Sequence, residues 1–167
     1  MSRTYTHVIH PFPPLIDTRC ELLILGSLPS VKSREQMFFY GHPQNRFWPL
    51  LAAVFGERTP ETIDEKKTLA LRHHIALWDT IYSCDIVGSG DSSIRNVTPT
   101  DLRALLDAAP IRRIFCNGRT SGMYYHRYQE KVLHIPAVTL PSTSPANAAW
   151  SMQRLLEVWK TALEVCE

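Results

Sequence analysis

Residues 21–30 read ELLILGSLPS (Glu21–Ser30). Four aliphatic residues in a row, closed by a glycine, are too few for an ordinary helix and carry no polar alternation. Glu21–Ser27 is therefore predicted as a strand covered on both faces, as in a parallel sheet. The turn that follows, GSLPS, lies at the strand's C-terminal end, where open α/β sheets bind their ligands.

Working outward from this strand, three more runs have the same character: HIALWDTI (His74–Ile81), IRRIFCN (Ile111–Asn117) and HIPAVTLPS (His134–Ser142). Helical patterns lie between and after them. They cover Asn45–Phe55, Pro60–His74 with ThrProGlu at its entrance, Thr98–Ala109, the stretch GRTSGMYYHRYQEK from Gly118, and a closing helix over Ala146–Val165 with Trp150, Leu155, Leu156 and Trp159 on its apolar side. Residues 1–19, with Pro11, Pro13 and Pro14, read as an extended arm, and Tyr82–Asn96 as a polar loop. This alternation predicts one domain over 1–167, a three-layer α/β/α sandwich around a mostly parallel four-stranded sheet.

The chain has 167 residues, 44% of them hydrophobic and 20% charged, which suits one soluble domain with a sizeable core. Its formal charge of +2 is too mild to point to nucleic acid. Arg103–Lys131 does hold six Arg or Lys against Asp107 and Glu130, a local basic sector whose ordinary reading is a solvated face. Cys20, Cys84, Cys116 and Cys166 lack metal-ligand spacing and are read as reduced thiols, so no metal site is expected. No signal pattern and no long apolar run is visible, so a soluble cytoplasmic protein is expected.

The densest chemistry is in FYGHPQNRFW (Phe39–Trp48). Gly41 frees the backbone and Pro43 stiffens it, so Asn45 arrives in a restricted geometry just before an apolar helix. Asn45 reads equally as that helix's N-cap or as a fixed functional amide, and Tyr40 as core or as a platform for a flat ligand. The loops after three strands, GSLPS with its extension to Asn45, the polar loop after Trp78, and PSTSPANA (Pro141–Ala148), supply N–H groups and hydroxyls rather than strong acids. Such loops suit phosphates or a polar ring, although PSTSPANA alone also reads as a turn and helix cap.

Taken together, GSLPS, GHPQNRFW and LPSTSPANA resemble, in order and spacing, the motifs of the uracil-DNA glycosylase superfamily. GHPQNRFW is similar to the HPxNRFW stretch of its mismatch-specific branch, and the resemblance spans about Leu22–Leu156. Two positions depart. The first motif carries Asp in the common uracil enzymes and Asn in the mismatch branch, where this chain has Leu28. The second motif's His is replaced by Leu140. That pattern most resembles the hypoxanthine-DNA (deoxyinosine) glycosylases.

The resemblance implies removal of deaminated adenine from double-stranded DNA with little or no action on uracil. It makes Asn45 the catalytic candidate and Tyr40 the ring that stacks on the flipped base. On this reading the Asn45 carbonyl accepts from the attacking water, and donors to the base come from the Gly26–Ser27 turn and from Ser or Asn side chains of residues 89–96. Leu28 and Leu140 serve either as walls of a purine pocket or as ordinary packing. Asp79 is either a second polar anchor or a carboxylate that holds the following loop. Arg46, Arg119, Ser142, Ser144 and Asn147 are assigned to the DNA backbone or minor groove. No lysine suits a Schiff base, so a monofunctional hydrolase that leaves an abasic site is expected and no cofactor is implied; monomeric action on DNA is the default expectation. The competing readings are a uracil or mismatch glycosylase of the same fold and a non-catalytic binder of damaged DNA. A nucleotide-binding phosphate loop and a serine-hydrolase elbow are both absent from the sequence.

Overall fold

The computed structural model describes residues 4–164. In chain order the elements are β1 (Thr6–Ile9), β2 (Leu22–Gly26), α1 (Val31–Gln36), α2 (Phe47–Val54), α3 (Ile63–Arg72), β3 (Ile75–Asp79), β4 (Ile81–Ile86), β5 (Arg95–Pro99), α4 (Arg103–Ala108) and β6 (Arg113–Asn117). A longer helix follows as α5 (Arg119–Tyr124), a π-helical turn at Tyr125–Gln129 and α6 (Glu130–Leu133). The chain closes with β7 (Ala137–Leu140) and α7 (Met152–Glu164).

The ELLIL run forms β2, and β2 is central. It pairs in parallel with β3 on one side and β6 on the other, and β7 completes the order β3-β2-β6-β7. Every β2 residue is buried, because the strand alternates between two cores. Leu22 and Ile24 face a layer built from α2, α3 and α7, where Phe47, Leu50, Leu69, Leu155 and Trp159 pack. Leu23 and Leu25 face a layer of Leu102, Leu105, Ile114 and Tyr125 from α4, β6 and the helix after it. The four-stranded parallel sheet between two helical layers is the architecture the sequence predicts.

Several local readings change. The run His74–Ile81 is not one strand: β3 ends at Asp79, the chain bends at Thr80, and β4 leaves in a second sheet of order β1-β4-β5. The stretch read as a polar loop thus holds most of β4, a 3₁₀ turn at Asp91–Ser93 and the start of β5. The pairing of β4 with β5 shifts register twice, between Ile81 and Ser83 and between Ser83 and Asp85, which destroys the period-2 pattern that would announce a strand. The extended arm supplies β1, antiparallel to β4, and a further bridge from Leu15 to Leu77.

Helix α4 starts at Arg103 rather than Thr98, since Thr98 and Pro99 belong to β5. Helix α3 starts after Thr62, whose hydroxyl accepts from the Glu65 N–H, not at ThrProGlu. Helix α7 starts at Met152, because Pro141–Ser151 folds into turns held by Ser142, Ser144 and Asn147; its expected end at Val165 lies outside the described residues. Helix α1 has no counterpart in the sequence reading. The Ser30 hydroxyl accepts from the Ser33 N–H, and the Ser33 hydroxyl in turn receives the Gly41 N–H at 2.9 Å, so α1 braces the GHPQN loop.

Cys20, Cys84 and Cys116 are buried free thiols, and burial pushes Cys116 up to about 11. Among the described residues no helix is long and apolar enough to cross a membrane.

Candidate active site

The C-terminal ends of β2, β3, β6 and β7 open onto a cleft of about 280 Å³ lined by Gly26, Ser27, Leu28, Tyr40, Asn45, Asp79, Asp91, Asn117, Ser142, Thr143 and Ser144, among others. That is close to the ~300 Å³ lower bound for sites that enclose a small ligand, so it suits one flat ring system rather than a dinucleotide. A shallower cleft of about 500 Å³ adjoins it and shares Ser27, Asp91, Asn117, Ser142 and Ser144; Arg119, Leu140, Asn147 and Trp150 belong to this second part. The six residues expected at the base or at its bond, Gly26, Ser27, Leu28, Tyr40, Asn45 and Asp79, are therefore brought together.

Asn45 combines both of its alternative readings. Its Oδ1 accepts the Phe47 N–H at 2.9 Å, an end-of-helix bond, although Arg46 rather than Asn45 holds the N-cap position. The same Oδ1 accepts the Thr143 hydroxyl at 2.9 Å. Thr143 can only donate in that direction, because Asn117 grips it twice: Asn117 Nδ2 donates to Thr143 Oγ1 at 3.0 Å and Thr143 N–H donates to Asn117 Oδ1 at 3.1 Å. Both lone pairs of the Asn45 carbonyl are thus taken. The expectation that this carbonyl receives the attacking water does not fit. What Asn45 has left is its NH₂, oriented without ambiguity because the Phe47 N–H requires oxygen on its side.

Asp79 ends β3 and is 4% exposed. Thr100 Oγ1 donates to its backbone carbonyl at 2.8 Å, and Thr80 N–H donates to Gly26 O at 2.8 Å, so the backbone, not the carboxylate, anchors the following chain. The carboxylate instead pairs with His10 from the arm, at 2.6 Å. Gly26 leaves room beside it: a Cβ there would lie 2.5 Å from Asp79 Oδ1, so the carboxylate would have to shift.

The Tyr40 ring stacks on Phe47, with centroids 4.1 Å apart, so one face is already used. Its hydroxyl is buried with no hydrogen-bond partner. Burial first and the Asp79 carboxylate second hold its phenol far above the usual value; the Asn117 amide nearby acts the other way without bonding it in acceptable geometry. Tyr40 is thus a neutral O–H at working pH. Its φ of 54° is a left-handed conformation a tyrosine rarely adopts, a local cost of ~1–3 kcal/mol that the surrounding loop imposes.

Leu28 lines the cleft and packs on the small apolar cluster of Val8, Ile81, Cys84 and Ile86 under the second sheet. Leu140 is buried in the main core and reaches only the second cleft. Leu28 therefore fits both of its readings and Leu140 mainly the packing one.

Among the DNA-contact expectations, Arg46 is the one to correct. Its guanidinium donates to the backbone carbonyls of Trp150, Ser144 (3.0 Å) and Asn147 (3.1 Å), closing the 144–150 turns from inside, so three of its five N–H donors are used within the protein. Arg119, by contrast, is exposed at the second cleft. Ser142, Ser144 and Asn147 hold their own loop and also line the clefts. From the basic sector, Arg103 and Arg112 pair with Asp101 and Glu21.

The sequence reading passed over Asp91, Asn117, Thr143 and His10. Apart from Asp79, Asp91 is the only carboxylate lining the cleft among the described residues; it is exposed at the cleft's rim, and partial desolvation by the protein around it raises it above the ordinary carboxylate range against a counteracting Thr120 hydroxyl. Among the described residues no group of three or more His, Cys, Asp or Glu could hold a metal ion.

A parallel sheet whose carboxyl edge carries a small cleft lined by amides, hydroxyls and two aspartates defines an α/β protein with a polar ligand-sized site at that edge. The chain belongs to the uracil DNA glycosylase superfamily, whose family profile matches residues 13–163. It is 38% identical over 150 residues to a hypoxanthine DNA glycosylase of Methanosarcina acetivorans, covering 86% of this chain and 90% of that protein. A hypoxanthine DNA glycosylase of Methanosarcina barkeri is 38% identical over 115 residues, 68% of this chain and 73% of the relative. A solution NMR structure from Methanosarcina acetivorans, provisionally described as a uracil DNA glycosylase, superposes with a TM-score of 0.79 at 33% identity, covering 93% of this chain and 97% of that one.

Proposed function

We propose that this protein is a monofunctional DNA glycosylase that releases hypoxanthine from double-stranded DNA and leaves an abasic site. The relatives named for that activity support the substrate. The observation that carries the chemistry is the Asn45 amide, whose oxygen is saturated by Phe47 and Thr143 and whose NH₂ is the part left for a ligand in the cleft.

To reach the cleft the nucleotide leaves the duplex, at a cost of a few kcal/mol that is smallest at a mismatched pair. As the N9–C1′ bond breaks, its electron pair leaves with the purine while C1′ gains positive charge. A neutral donor aimed at the departing ring is worth more in that state than in the ground state, and we assign this role to the Asn45 NH₂. The water oxygen bonds to C1′, and its proton passes to a carboxylate, for which the raised Asp91 is the candidate. The purine then takes up a proton as it departs, which balances the hydrolysis. No lysine lines the cleft among the described residues, in keeping with a hydrolytic rather than a Schiff-base route. Arg119, Ser142, Ser144 and Asn147 are proposed to face the DNA, and the protein to act as a monomer.

Single-turnover assay of a deoxyinosine duplex, with alkaline cleavage to reveal abasic sites, tests this. Wild-type protein releases hypoxanthine, and Asn45→Ala falls by ~10²–10³-fold, the usual cost of one such donor. Undiminished release by Asn45→Ala would remove the amide from the mechanism.

A further inference from the structure

We infer that Arg34 is the positioning residue for Asp91: from helix α1 it pins the loop between β4 and β5 and so sets the Asp91 carboxylate against the Asn45 amide. The inference rests on the glycosylase reading above, in which Asp91 takes the proton from water.

Residues 87–93 form a knot of their own. Ser93, 6% exposed, gathers it: its hydroxyl accepts the Val87 N–H at 2.9 Å and donates to Gly90 O at 2.6 Å. The Gly90 N–H closes on Val87 O at 3.1 Å. Asp91 opens the 3₁₀ turn that follows, so Asp91 moves wherever this knot moves. Gly88, at a φ of 60°, and Gly90 bring no side chains to pack, and the internal bonds do not fix where the loop sits over the cleft.

Two bonds from α1 do fix it. Arg34 Nη2 donates to Gly88 O at 2.9 Å, and the Val31 N–H donates to Ser89 Oγ at 2.9 Å. Arg34 Nε also reaches Ser30 O at 3.4 Å, in the turn that follows β2. The guanidinium is half-buried and partly desolvated, and these carbonyls replace water it has lost. The same helix holds the Asn45 loop, with Ser33 Oγ on the Gly41 N–H and Gln36 Nε2 on Gly41 O at 3.0 Å. One short helix thus grips both loops and sets how far the Asn45 amide stands from the Asp91 carboxylate. That separation matters because the amide acts on the departing purine and the carboxylate on the water entering at C1′. A general base works only within hydrogen-bond reach of its proton, and a displacement of ~1 Å costs ~10²-fold.

A double-mutant cycle on a deoxyinosine duplex tests this, with excision rate and DNA affinity read separately under single-turnover conditions. Arg34→Ala should lower the rate at saturating enzyme by ~30–100-fold. The half-saturating enzyme concentration should stay within ~2-fold of wild type, with its salt slope unchanged. Arg34→Lys, which keeps one charged donor for Gly88 O, should recover at least ~5-fold of the lost rate. In an Asp91→Asn background Arg34→Ala should cost no more than ~2-fold, because the group it positions is already gone. Ser89→Ala strips the second bond without touching a charge. It should lose ~5-fold alone and nothing further beside Asp91→Asn, and it decides the matter if Arg34→Ala does not fold. If the Arg34→Ala loss multiplies in full onto Asp91→Asn, or if Arg34→Ala weakens binding and lowers the salt slope as loss of a phosphate contact would, the positioning role is overturned and the glycosylase reading stands. Asp91→Asn with the wild-type rate overturns the assigned base and this inference together. A wild-type protein that releases no hypoxanthine overturns the glycosylase reading itself.

Discussion

Asn45 and Asp79 share one cleft and are anchored from opposite ends of the chain. Asn45 is held by neutral bonds from the helix it precedes and from the loop after β7, which between them use up its oxygen. Asp79 is held by one imidazole from the N-terminal arm, which uses up one oxygen of two. Anchoring decides which atom is left for the substrate: from an amide, a donor; from a carboxylate, an acceptor. A donor placed there suits negative charge that develops on a leaving base.

The largest effect comes from reversing the Asn45 side of this contrast. Asn45→Asp keeps an oxygen for Phe47 and Thr143 but puts a second oxygen where NH₂ stood, so excision should fall at least as far as in Asn45→Ala, by ~10²–10³-fold. A variant that retained activity would show that an oxygen, not the NH₂, does the work.

A smaller loss is expected from Asp91→Asn, by ~10²-fold at neutral pH if Asp91 takes the proton from water. The pH profile gives the sign. Because partial desolvation raises this carboxyl, wild-type activity should disappear as pH falls through a value above the ordinary carboxylate range, where Asp91 becomes protonated, and the variant should lack that limb.

Thr143→Val tests the anchoring itself. It strips one bond from Asn45 Oδ1 and leaves Asn117 Nδ2 without its partner, so excision should drop ~10-fold while stability falls by ~1–3 kcal/mol in chemical denaturation. The smallest effects separate two arginines. Arg119→Ala should lower the slope of DNA affinity against salt by about one counterion without changing stability. Arg46→Ala should leave that slope alone and destabilise the fold, because its donors close the 144–150 turns.

The legible parts of the site were those carried by continuous segments. Gly26, Ser27 and Leu28 follow a strand, and Asn45 sits in a stiff turn; proximity along the chain placed them together. Arg46 was misjudged because a guanidinium beside a turn looks the same in sequence whether it faces a phosphate or three backbone carbonyls. His10 carried no signal at all, since an isolated histidine in a proline-rich arm announces nothing about what it will touch. Tyr82–Asn96 passed for a loop because register shifts erased the alternation that marks a strand.

The sequence by itself determined the parallel sheet, its two helical layers and the placement of Asn45 at the sheet's carboxyl edge, because hydrophobic period and turn chemistry are local properties that every neighbour in the chain reinforces. Tertiary structure alone decided the second sheet, the pairing of His10 with Asp79 across 69 residues and the bond from Thr143 to Asn45 across 98. Hydrogen-bond partners are chosen by which groups are left unsatisfied when distant segments pack, and no local pattern records that choice.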